Sequence, residues 1–421
     1  MRSHTRAQCV LLVVNVMVVL VCFAAAVALL IGKRARESFV AAPHVSFDPA
    51  PRLATSTAPT SSMPVTTGAS AAIGEPPVTF PAVDPHAENF LITGDDNNPC
   101  VDPNSPWAGA VQGRENIGSR SDTIMVLRLD PVSKAAAILS FPRDLWVKIP
   151  GRGMQRINTT FQRGQYDLMA QTIDQNFGVR VDHFVQIDFC AFKSIVDAVG
   201  GVAIPLARPI RDANTGIDIE DVSVCHTFSG DEALAYVRSR HLHYLDTDGQ
   251  WKVDGTSDFG RISRQQDFLR RMLKAASDKG FFNPSVAQGL LSAAQKYIVF
   301  DAGLSINNML SFAGLLREIP PPSIRTYQVQ ATGRNIGGNA VLIPQLTGDN
   351  MNAIFAIFRG QAPLSAAPTQ VHDTSTPTPD PSTAATATTT PTTPAPSVVT
   401  TPADNPHDIT HGVLPDKNTQ C

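Results

Sequence analysis

The chain has 421 residues, of which 43% are apolar and 17% are charged, and its formal net charge at pH 7 is −3. A slightly acidic chain lacks the basic excess that neutralises nucleic-acid phosphates, so no nucleic-acid partner is expected. Its 33 prolines are clustered, and the length accommodates one large folded domain with unfolded flanking segments.

The first predicted element is an apolar run near the N-terminus. Residues 10–31 contain no charged residue over 22 positions, which is long enough for a helix to cross a bilayer. A cleaved signal peptide is the alternative, but basic residues follow the run in place of a small-residue cleavage site. We therefore predict a short cytoplasmic N-terminus at 1–9 and one transmembrane helix at 10–31. Basic residues flank both sides of the run, so charge alone leaves its orientation open.

Two further segments have the composition of disordered chain. Residues 32–86 are rich in Pro, Ala, Thr and Ser, which predicts an extended stalk. Residues 361–421 form a Pro/Thr-rich tail with too little apolar content to bury a core. The folded domain is therefore predicted at 87–360, a length sufficient for a sizeable core.

Strand-like and helix-like segments alternate through this domain. Their predicted ranges are 89–93, 122–129, 135–141 and 183–189 for strands, and 166–177, 191–199, 233–236 and 264–277 for helices. A turn joins the second and third strands into a hairpin, and a capping box that starts at Ser229 begins the third helix. This order predicts an α/β fold in which helices cover both faces of a central mixed sheet.

Four cysteines follow the apolar run, without the paired spacing of a zinc site. An even, unclustered number favours disulfides outside the cytoplasm, and buried free thiols are the alternative. Of the three ways to pair them we favour Cys190 with Cys225, because both are predicted to lie inside the folded core. Cys421 would then bridge to Cys100 or stay free.

Acidic residues lie at two predicted strand ends, which is where α/β sheets bind ligands. Asp95 follows the first strand and Asp122 opens the second. Two neighbouring carboxylates can hold Mg²⁺, which takes oxygen ligands and completes its shell with water or phosphate oxygens. An ordinary turn or strand entry also explains each aspartate, so spacing alone does not establish a metal site.

Four arginines within 27 residues indicate a multiply charged anion. Arg238 and Arg240 are two apart on a segment that we predict to be extended, which would direct both side chains to one face. Arg261 and Arg264 follow, and Arg143 comes directly after the third strand. A charged strand edge that prevents aggregation is the alternative. Beside a bound metal, such arginines would match the division of labour in phosphoryl transfer.

Seven short motifs together resemble, in composition and order, those of the LytR-CpsA-Psr family, and the resemblance covers about residues 88–280. In chain order the motifs are Gly94-Asp95, Ser121-Asp122-Thr123, Ser140-Phe141-Pro142-Arg143-Asp144, Arg156-Ile157-Asn158, Asp197-Ala198-Val199-Gly200-Gly201-Val202, Ala233-Leu234-Ala235-Tyr236-Val237-Arg238-Ser239-Arg240 and Gly260-Arg261-Ile262-Ser263-Arg264-Gln265-Gln266.

The resemblance implies a phosphotransferase anchored in the cell membrane by a single pass, with an α-β-α sandwich as its extracytoplasmic catalytic domain. Such an enzyme moves a glycopolymer from a polyprenyl pyrophosphate carrier to a peptidoglycan acceptor, and it uses Mg²⁺, for which Mn²⁺ could substitute. The resemblance also assigns roles to eight residues: Asp95 and Asp122 would hold the metal, Arg143, Arg238, Arg240 and Arg261 would grip the pyrophosphate, and Asp258 and Gln265 would complete the substrate-binding shell.

The chain departs from the family pattern around this site. No basic residue follows Asp95, and insertions at 99–116 and 241–258 border the expected substrate position, which leaves the acceptor open. Two other functions also remain open. One is a polyprenyl pyrophosphate hydrolase, in which water replaces the acceptor. The other is a non-catalytic cell-wall lipid-binding regulator, for which the predicted cytoplasmic segment of about nine residues would be short.

Overall fold

The computed structural model describes residues 43–47, 87–95, 100, 102–110, 121–162, 165–222, 225–279, 284–304, 315–316, 318–370, 415 and 421. The predicted transmembrane helix at 10–31 lies outside these residues. Among the described helices, none is both long enough and apolar enough to cross a membrane.

The described strands and helices alternate along the chain. The strands are β1 His44–Val45, β2 Glu88–Asp95, β3 Ile124–Asp130, β4 Ala135–Ser140, β5 Trp146–Ile149, β6 Gly153–Arg156, β7 His183–Asp188, β8 Val202–Ile204, β9 Ile210–Asp212, β10 Ile217–Ile219, β11 His226–Phe228, β12 His243–Leu245, β13 Trp251–Val253, β14 Ile298–Asp301, β15 Arg325–Gln328, β16 Ala331–Ile336 and β17 Asn339–Pro344. The α-helices are α1 Asp167–Phe177, α2 Phe189–Ala198, α3 Gly230–Arg238, α4 Ser257–Lys279, α5 Pro284–Tyr297 and α6 Asp349–Phe358. Short 3-10 helices span Ala108–Ala110, Ile157–Thr160, Pro321–Ser323 and Leu364–Ala366.

A seven-stranded mixed sheet forms the centre of the fold. Its strand order is β1-β14-β7-β2-β3-β4-β15. The β2-β3-β4 strands form an antiparallel meander that includes the predicted hairpin, whereas β7 pairs parallel with β2 and β15 pairs parallel with β4. The edge strand β1 lies within the segment 32–86 that was predicted to be a stalk. Its His44 pairs with Phe300 of β14.

Helices cover both faces of this sheet. Leu91 and Phe184 point to one face, where they share a buried cluster with α1 and α6. Phe90 and Met125 point to the other face and pack with α2, α4 and α5. The alternation of side chains along each strand therefore fills two apolar layers, and this confirms the predicted α/β fold with a central mixed sheet.

The helices around the arginines differ from the prediction. Helix α3 runs from Gly230 to Arg238, and α4 begins at Ser257, ahead of the predicted start. Ser229 is the N-cap residue of α3, but its side chain makes no capping bond, and the Gly230 amide donates instead to Asp197 Oδ1 at 2.8 Å. A partner distant in sequence has replaced the local capping box.

Ordered chain continues beyond residue 360, into the segment predicted as a tail. The Tyr327 hydroxyl donates to the Pro368 carbonyl at 2.6 Å, and the Gln370 side chain accepts from the Gln328 amide at 2.8 Å. These bonds fix residues 361–370 beside β15.

The cysteine pairing favoured from the sequence is wrong. In the structure Cys100 pairs with Cys190, across 90 residues, and Cys225 pairs with Cys421, across 196 residues. Pairing requires Cα atoms within about 7 Å, and the two observed pairs lie at 5.6 and 5.9 Å. Shared membership of the folded domain did not bring Cys190 to Cys225.

A smaller antiparallel sheet takes two of its four strands, β12 and β13, from the insertion at 241–258. Its order is β10-β9-β12-β13. One face is buried, since Ile210, Ile217 and Tyr244 pack in the same cluster as Leu234 and Val237 of α3. The insertion therefore forms a folded layer on α3, the helix that ends at Arg238.

Candidate active site

Neighbouring strand ends bring charged side chains into one row. Asp95 at the end of β2 is the register partner of Asp188 at the end of β7. The β2-β3 register pairs Thr93 with Ile124, and its continuation sets Asp95 opposite Asp122. The β3-β4 register, continued past Ser140 in the same way, sets Asp122 opposite Arg143. Sheet order therefore juxtaposes three of the predicted site residues.

Contacts between the side chains agree with this row. Arg143 Nη1 lies 2.5 Å from Asp122 Oδ1, and Arg238 Nη2 lies 3.9 Å from Asp122 Oδ2. Burial by itself would lower the pKa of Arg143, but the charge and hydrogen bond of Asp122 raise it above its ordinary value. Asp122 thus holds two guanidinium groups at the edge of the sheet.

Helix α3 delivers Arg238, and the prediction of an extended Arg238-Ser239-Arg240 segment is wrong. Arg238 is the last residue of the helix. The chain leaves the helix at Ser239, which has φ −55° and ψ 130°. The Arg238 guanidinium stacks 4.2 Å above the Phe189 ring at the start of α2. The helix continues because Val237, like the four residues before it, is buried in the core.

Helix α4 carries Arg261 in its second turn, where the side chain is only 2% exposed. Two nitrogens of Arg261 lie 3.0 and 2.8 Å from Asp258 Oδ1, one turn earlier on the same helix. Gln265, one turn later, donates to the Val237 carbonyl at 3.1 Å. Gln265 therefore ties α4 to the end of α3 beside Arg238.

Arg240 lies among positive charges. Burial lowers the pKa of Arg240, and the neighbouring cations Arg143 and Arg261 lower it further. Within the described ranges, its guanidinium makes no hydrogen bond and no ion pair. The nearby carboxylates Asp122 and Asp258 only partly offset this repulsion. An anion bound here would relieve it.

An apolar cavity adjoins these arginines on the α2-α4 side of the sheet. Its polar lining includes Asp122, Arg238, Arg261 and Gln265. The apolar lining comes from strands β2, β3 and β7 and from helices α2, α3 and α4. It consists of Ile92, Met125, Ile187, Phe189, Phe192, Ile195, Leu234, Val237, Phe268, Leu269 and Met272. A ligand that fits this cavity combines a long apolar part with an anionic group.

The oxygen atoms around Asp95 suit a hard cation. Asp95 is 2% exposed, and Gln186 Nε2 donates to its Oδ2 at 3.1 Å. The other atom of that amide, Gln186 Oε1, is buried and has no hydrogen-bond partner in the described part of the chain. Carboxylate and amide oxygens are the ligands that Mg²⁺ prefers. Among the described residues no cluster of three His, Cys, Asp or Glu could hold a metal, so water or phosphate oxygens would have to complete the shell.

The buried ion pair between Arg264 and Asp254 was not predicted from the sequence. Arg264 Nη1 donates to Asp254 Oδ2 at 3.1 Å, and its Nη2 donates to the Ser239 carbonyl at 2.5 Å. The Ser239 hydroxyl donates to Asp212 Oδ2 at 2.6 Å. These bonds fix the residue between Arg238 and Arg240. Arg264 was visible in the last motif, but its partners lie 10 and 25 residues away, and no local spacing indicates them.

A second contact that was not predicted also involves Arg143. Asp144 is 3.4 Å from Arg143 Nε and 3.5 Å from Arg156 Nε. Arg156 also donates to the Ala340 carbonyl of β17 at 2.8 Å. Asp144 and Arg156 belong to the sequence motifs, but no role was predicted for either residue. They connect Arg143 to the β16-β17 hairpin.

The family profile described as the LytR_cpsA_psr family matches residues 66–356. The chain belongs to the LytR-CpsA-Psr family. This confirms the resemblance read from the seven motifs, and the match covers more than half of the chain.

Several named relatives are members of the same family. The chain is 34% identical over 248 residues to the "Probable cell wall biosynthesis protein LcpB" of Corynebacterium glutamicum, which covers 57% of this chain and 56% of that protein. It is 31% identical over 205 residues to the polyisoprenyl-teichoic acid–peptidoglycan teichoic acid transferase TagU of Halalkalibacterium halodurans, covering 48% and 62%. It is 30% identical over 156 residues to the regulatory protein MsrR of Staphylococcus aureus, covering 37% and 44%. The matched region spans about half the length of these relatives.

Solved structures of this family share the fold. The LytR-Csp2A-Psr enzyme from Actinomyces oris is similar with a TM-score of 0.52 at 23% identity, over 67% of this chain and 95% of that one. The protein gbs0355 of Streptococcus agalactiae gives a TM-score of 0.50 at 20% identity, over 66% and 88%. At these identities the similarity concerns the fold alone.

Proposed function

We propose that this chain is a membrane-anchored, extracytoplasmic phosphotransferase that moves a glycopolymer from a polyprenyl pyrophosphate carrier onto peptidoglycan. One observation carries the proposal, namely that an apolar cavity adjoins a cluster of four arginines. A polyprenyl pyrophosphate has the same two parts, a long hydrocarbon tail and a compact polyanion. The relative TagU, whose name describes a transfer of this kind, supports the choice of substrate class.

The arginine cluster is suited to the pyrophosphate group. Arg143, Arg238, Arg240 and Arg261 surround the edge of the sheet, and burial together with the neighbouring cations lowers the pKa of Arg240. A guanidinium binds phosphate oxygens through two parallel hydrogen bonds and keeps its charge at any physiological pH. The cluster would therefore bind the ground state and stabilise the negative charge that develops during transfer.

The reaction is a displacement at phosphorus. An acceptor hydroxyl of peptidoglycan forms a bond to the glycan-linked phosphorus, and the bond from that phosphorus to the bridging oxygen breaks. Polyprenyl phosphate is the leaving group and takes up the proton that the acceptor hydroxyl loses. Bound at Asp95 and Asp122, Mg²⁺ would neutralise phosphate charge. Asp258 positions Arg261, and Gln265 positions the end of α3. The cavity holds the polyprenyl tail and excludes water from the tail.

The test is a transfer assay with the whole chain in detergent, because β1 at 44–45 belongs to the central sheet and truncation at 87 would remove it. The full chain is incubated with a labelled polyprenyl pyrophosphate glycan, Mg²⁺ and purified peptidoglycan. We expect label on the peptidoglycan. Transfer should be lost when EDTA is added and in the variant Arg238→Ala. It should be retained in the control variant Arg334→Ala, which changes an exposed arginine of β16.

The same assay separates transfer from hydrolysis and from simple binding. Release of glycan phosphate at the same rate without peptidoglycan would identify a hydrolase. Tight binding of the lipid with no turnover under any condition would identify a lipid-binding regulator. Either result would overturn the proposal.

A further inference from the structure

We propose that the outer face of the β10-β9-β12-β13 sheet docks the acceptor glycan strand of peptidoglycan; this inference rests on the proposed transferase function. The outer face is defined by six residues from the four strands, Arg211, Asp218, His243, Leu245, Trp251 and Val253.

Strand register places these six residues on one side of the sheet. His243 pairs with both Arg211 and Val253, and Leu245 pairs with Trp251. Arg211 pairs in turn with Asp218. Directly opposed residues share a face, and so do residues two apart on one strand. The intervening residues Ile210 and Tyr244 point into the core, so the six point away from it.

The chemistry of this face is that of a sugar-binding surface. The Arg211 guanidinium lies over the Trp251 ring, with its Cζ 4.0 Å from the ring centroid. Among the described residues, neither the indole N–H nor the guanidinium donates a hydrogen bond, and Asp218 opposite Arg211 makes no ion pair with it. Val253 next to this pair is 58% exposed. An aromatic ring packs against the C–H face of a pyranose, and unpaired donors beside it bind hydroxyl, amide and carboxylate oxygens.

The outer face lies within a few sugar units of the arginine cluster. His243 follows Arg240 by three residues, so at ~3.3 Å per residue their Cα atoms are separated by at most about 10 Å. Strand β13, which carries Trp251, leads directly to Asp254, and Asp254 pairs with Arg264. The face is thus connected through Asp254 to α4, the helix that also carries Arg261. A glycan strand lying on Trp251 would reach the phosphorus with a hydroxyl a few units along.

The position of the face favours the acceptor over the donor glycan. The donor's tail cavity lies between the central sheet and α2, α3 and α4. The small sheet packs its inner face against α3. Its outer face therefore lies beyond α3, away from the cavity, where a second substrate can bind while the first is held. Peptidoglycan also carries peptide carboxylates, which complement Arg211.

The test measures binding without turnover. The full chain in detergent is sedimented with purified, polymer-free peptidoglycan, and the variants are Trp251→Ala, Trp251→Phe, Arg211→Ala and the control Arg334→Ala. We expect Trp251→Ala and Arg211→Ala to weaken co-sedimentation about three- to tenfold, the range for losing one aromatic or cation–π contact. Trp251→Phe should restore most of it, and Arg334→Ala should bind like the parent chain. Unchanged thermal melting of Trp251→Ala confirms that the fold is intact.

Kinetics then assign the surface to one substrate. Trp251→Ala should raise KM for peptidoglycan and leave KM for the lipid donor unchanged. Undiminished co-sedimentation, or a change confined to the KM for the donor, would overturn the docking surface. If the parent chain transfers nothing and yet co-sediments in a Trp251-dependent manner, the docking surface stands and the proposed function fails.

Discussion

The buried pair Asp254–Arg264 should be essential to the architecture of the site, and Asp254→Asn tests this. The side chains are 4% and 1% exposed, and the two groups lie 3.1 Å apart. Asparagine keeps the shape and an oxygen acceptor but leaves the Arg264 cation buried without a counter-charge. Breaking a buried ion pair from one side costs about 3–5 kcal/mol of unfolding free energy. We expect Asp254→Asn to lie near the lower end, about 3 kcal/mol, because the hydrogen bond survives.

A double-mutant cycle isolates the pair itself. Arg264→Met should cost about 3–5 kcal/mol, since it leaves a buried carboxylate and removes the hydrogen bond to the Ser239 carbonyl. The double variant buries neither charge, so its cost should fall short of the sum of the single costs by about 2 kcal/mol or more.

The assay is urea denaturation monitored by circular dichroism, and the free energy of unfolding is obtained by linear extrapolation to zero urea. The matched control is Lys274→Met in the same helix, where the ion pair with Asp278 is 50% and 61% exposed. That change should cost no more than about 0.5 kcal/mol. Single costs below about 1 kcal/mol, or additivity within about 0.5 kcal/mol, would refute the reasoning.

Three further predictions concern other parts of the molecule. Arg238→Ala should lower kcat about 100- to 1000-fold in the transfer assay while the chain stays folded, as expected for the loss of one preorganised donor to a developing charge; parent-like kcat would contradict its role. Burial would lower the pKa of His183, but hydrogen bonds and charges from Asp301 and Glu88 raise it from 6.5 to about 9. Because the folded-state pKa is raised, the stabilisation is complete below pH 6.5 and is lost as the pH rises through about 9, by up to about 3 kcal/mol; thermal melting of His183→Gln should lack this dependence, and an equal dependence in that variant would contradict the assignment. Non-reducing peptide mapping should recover Cys225 linked to Cys421, whereas any other partner for Cys225 would contradict the observed pairing.

The secondary structure of the central sheet could be predicted because its causes are local. The strands at 89–93, 135–141 and 183–189 were found within two residues of their predicted ends. Short apolar runs bounded by turn signals are properties of neighbouring positions, and such runs are typical of strands that are buried on both faces. The helix at 233–236 was too short, because the prediction of an extended Arg-Ser-Arg segment ignored the burial of Val237.

Candidate site residues could be named from the sequence only as members of motifs. Residue type and order identified Asp95, Asp122 and Arg143, but nothing in their spacing of 27 and 21 residues says that they meet. They lie in one row because β2, β3 and β4 are adjacent in the sheet and all three residues are at the same edge of it.

The alternation of elements, the family and the residue types of the candidate site could all be read from the sequence, since each is carried by short contiguous patterns. The three-dimensional fold was needed to show which cysteines pair, that Asp254 and Arg264 hold Ser239 in place, and that the insertion at 241–258 supplies two strands of a four-stranded sheet. These features depend on contacts between residues 10 to 196 positions apart. Such contacts form only when the whole domain buries its core, and no local pattern encodes them.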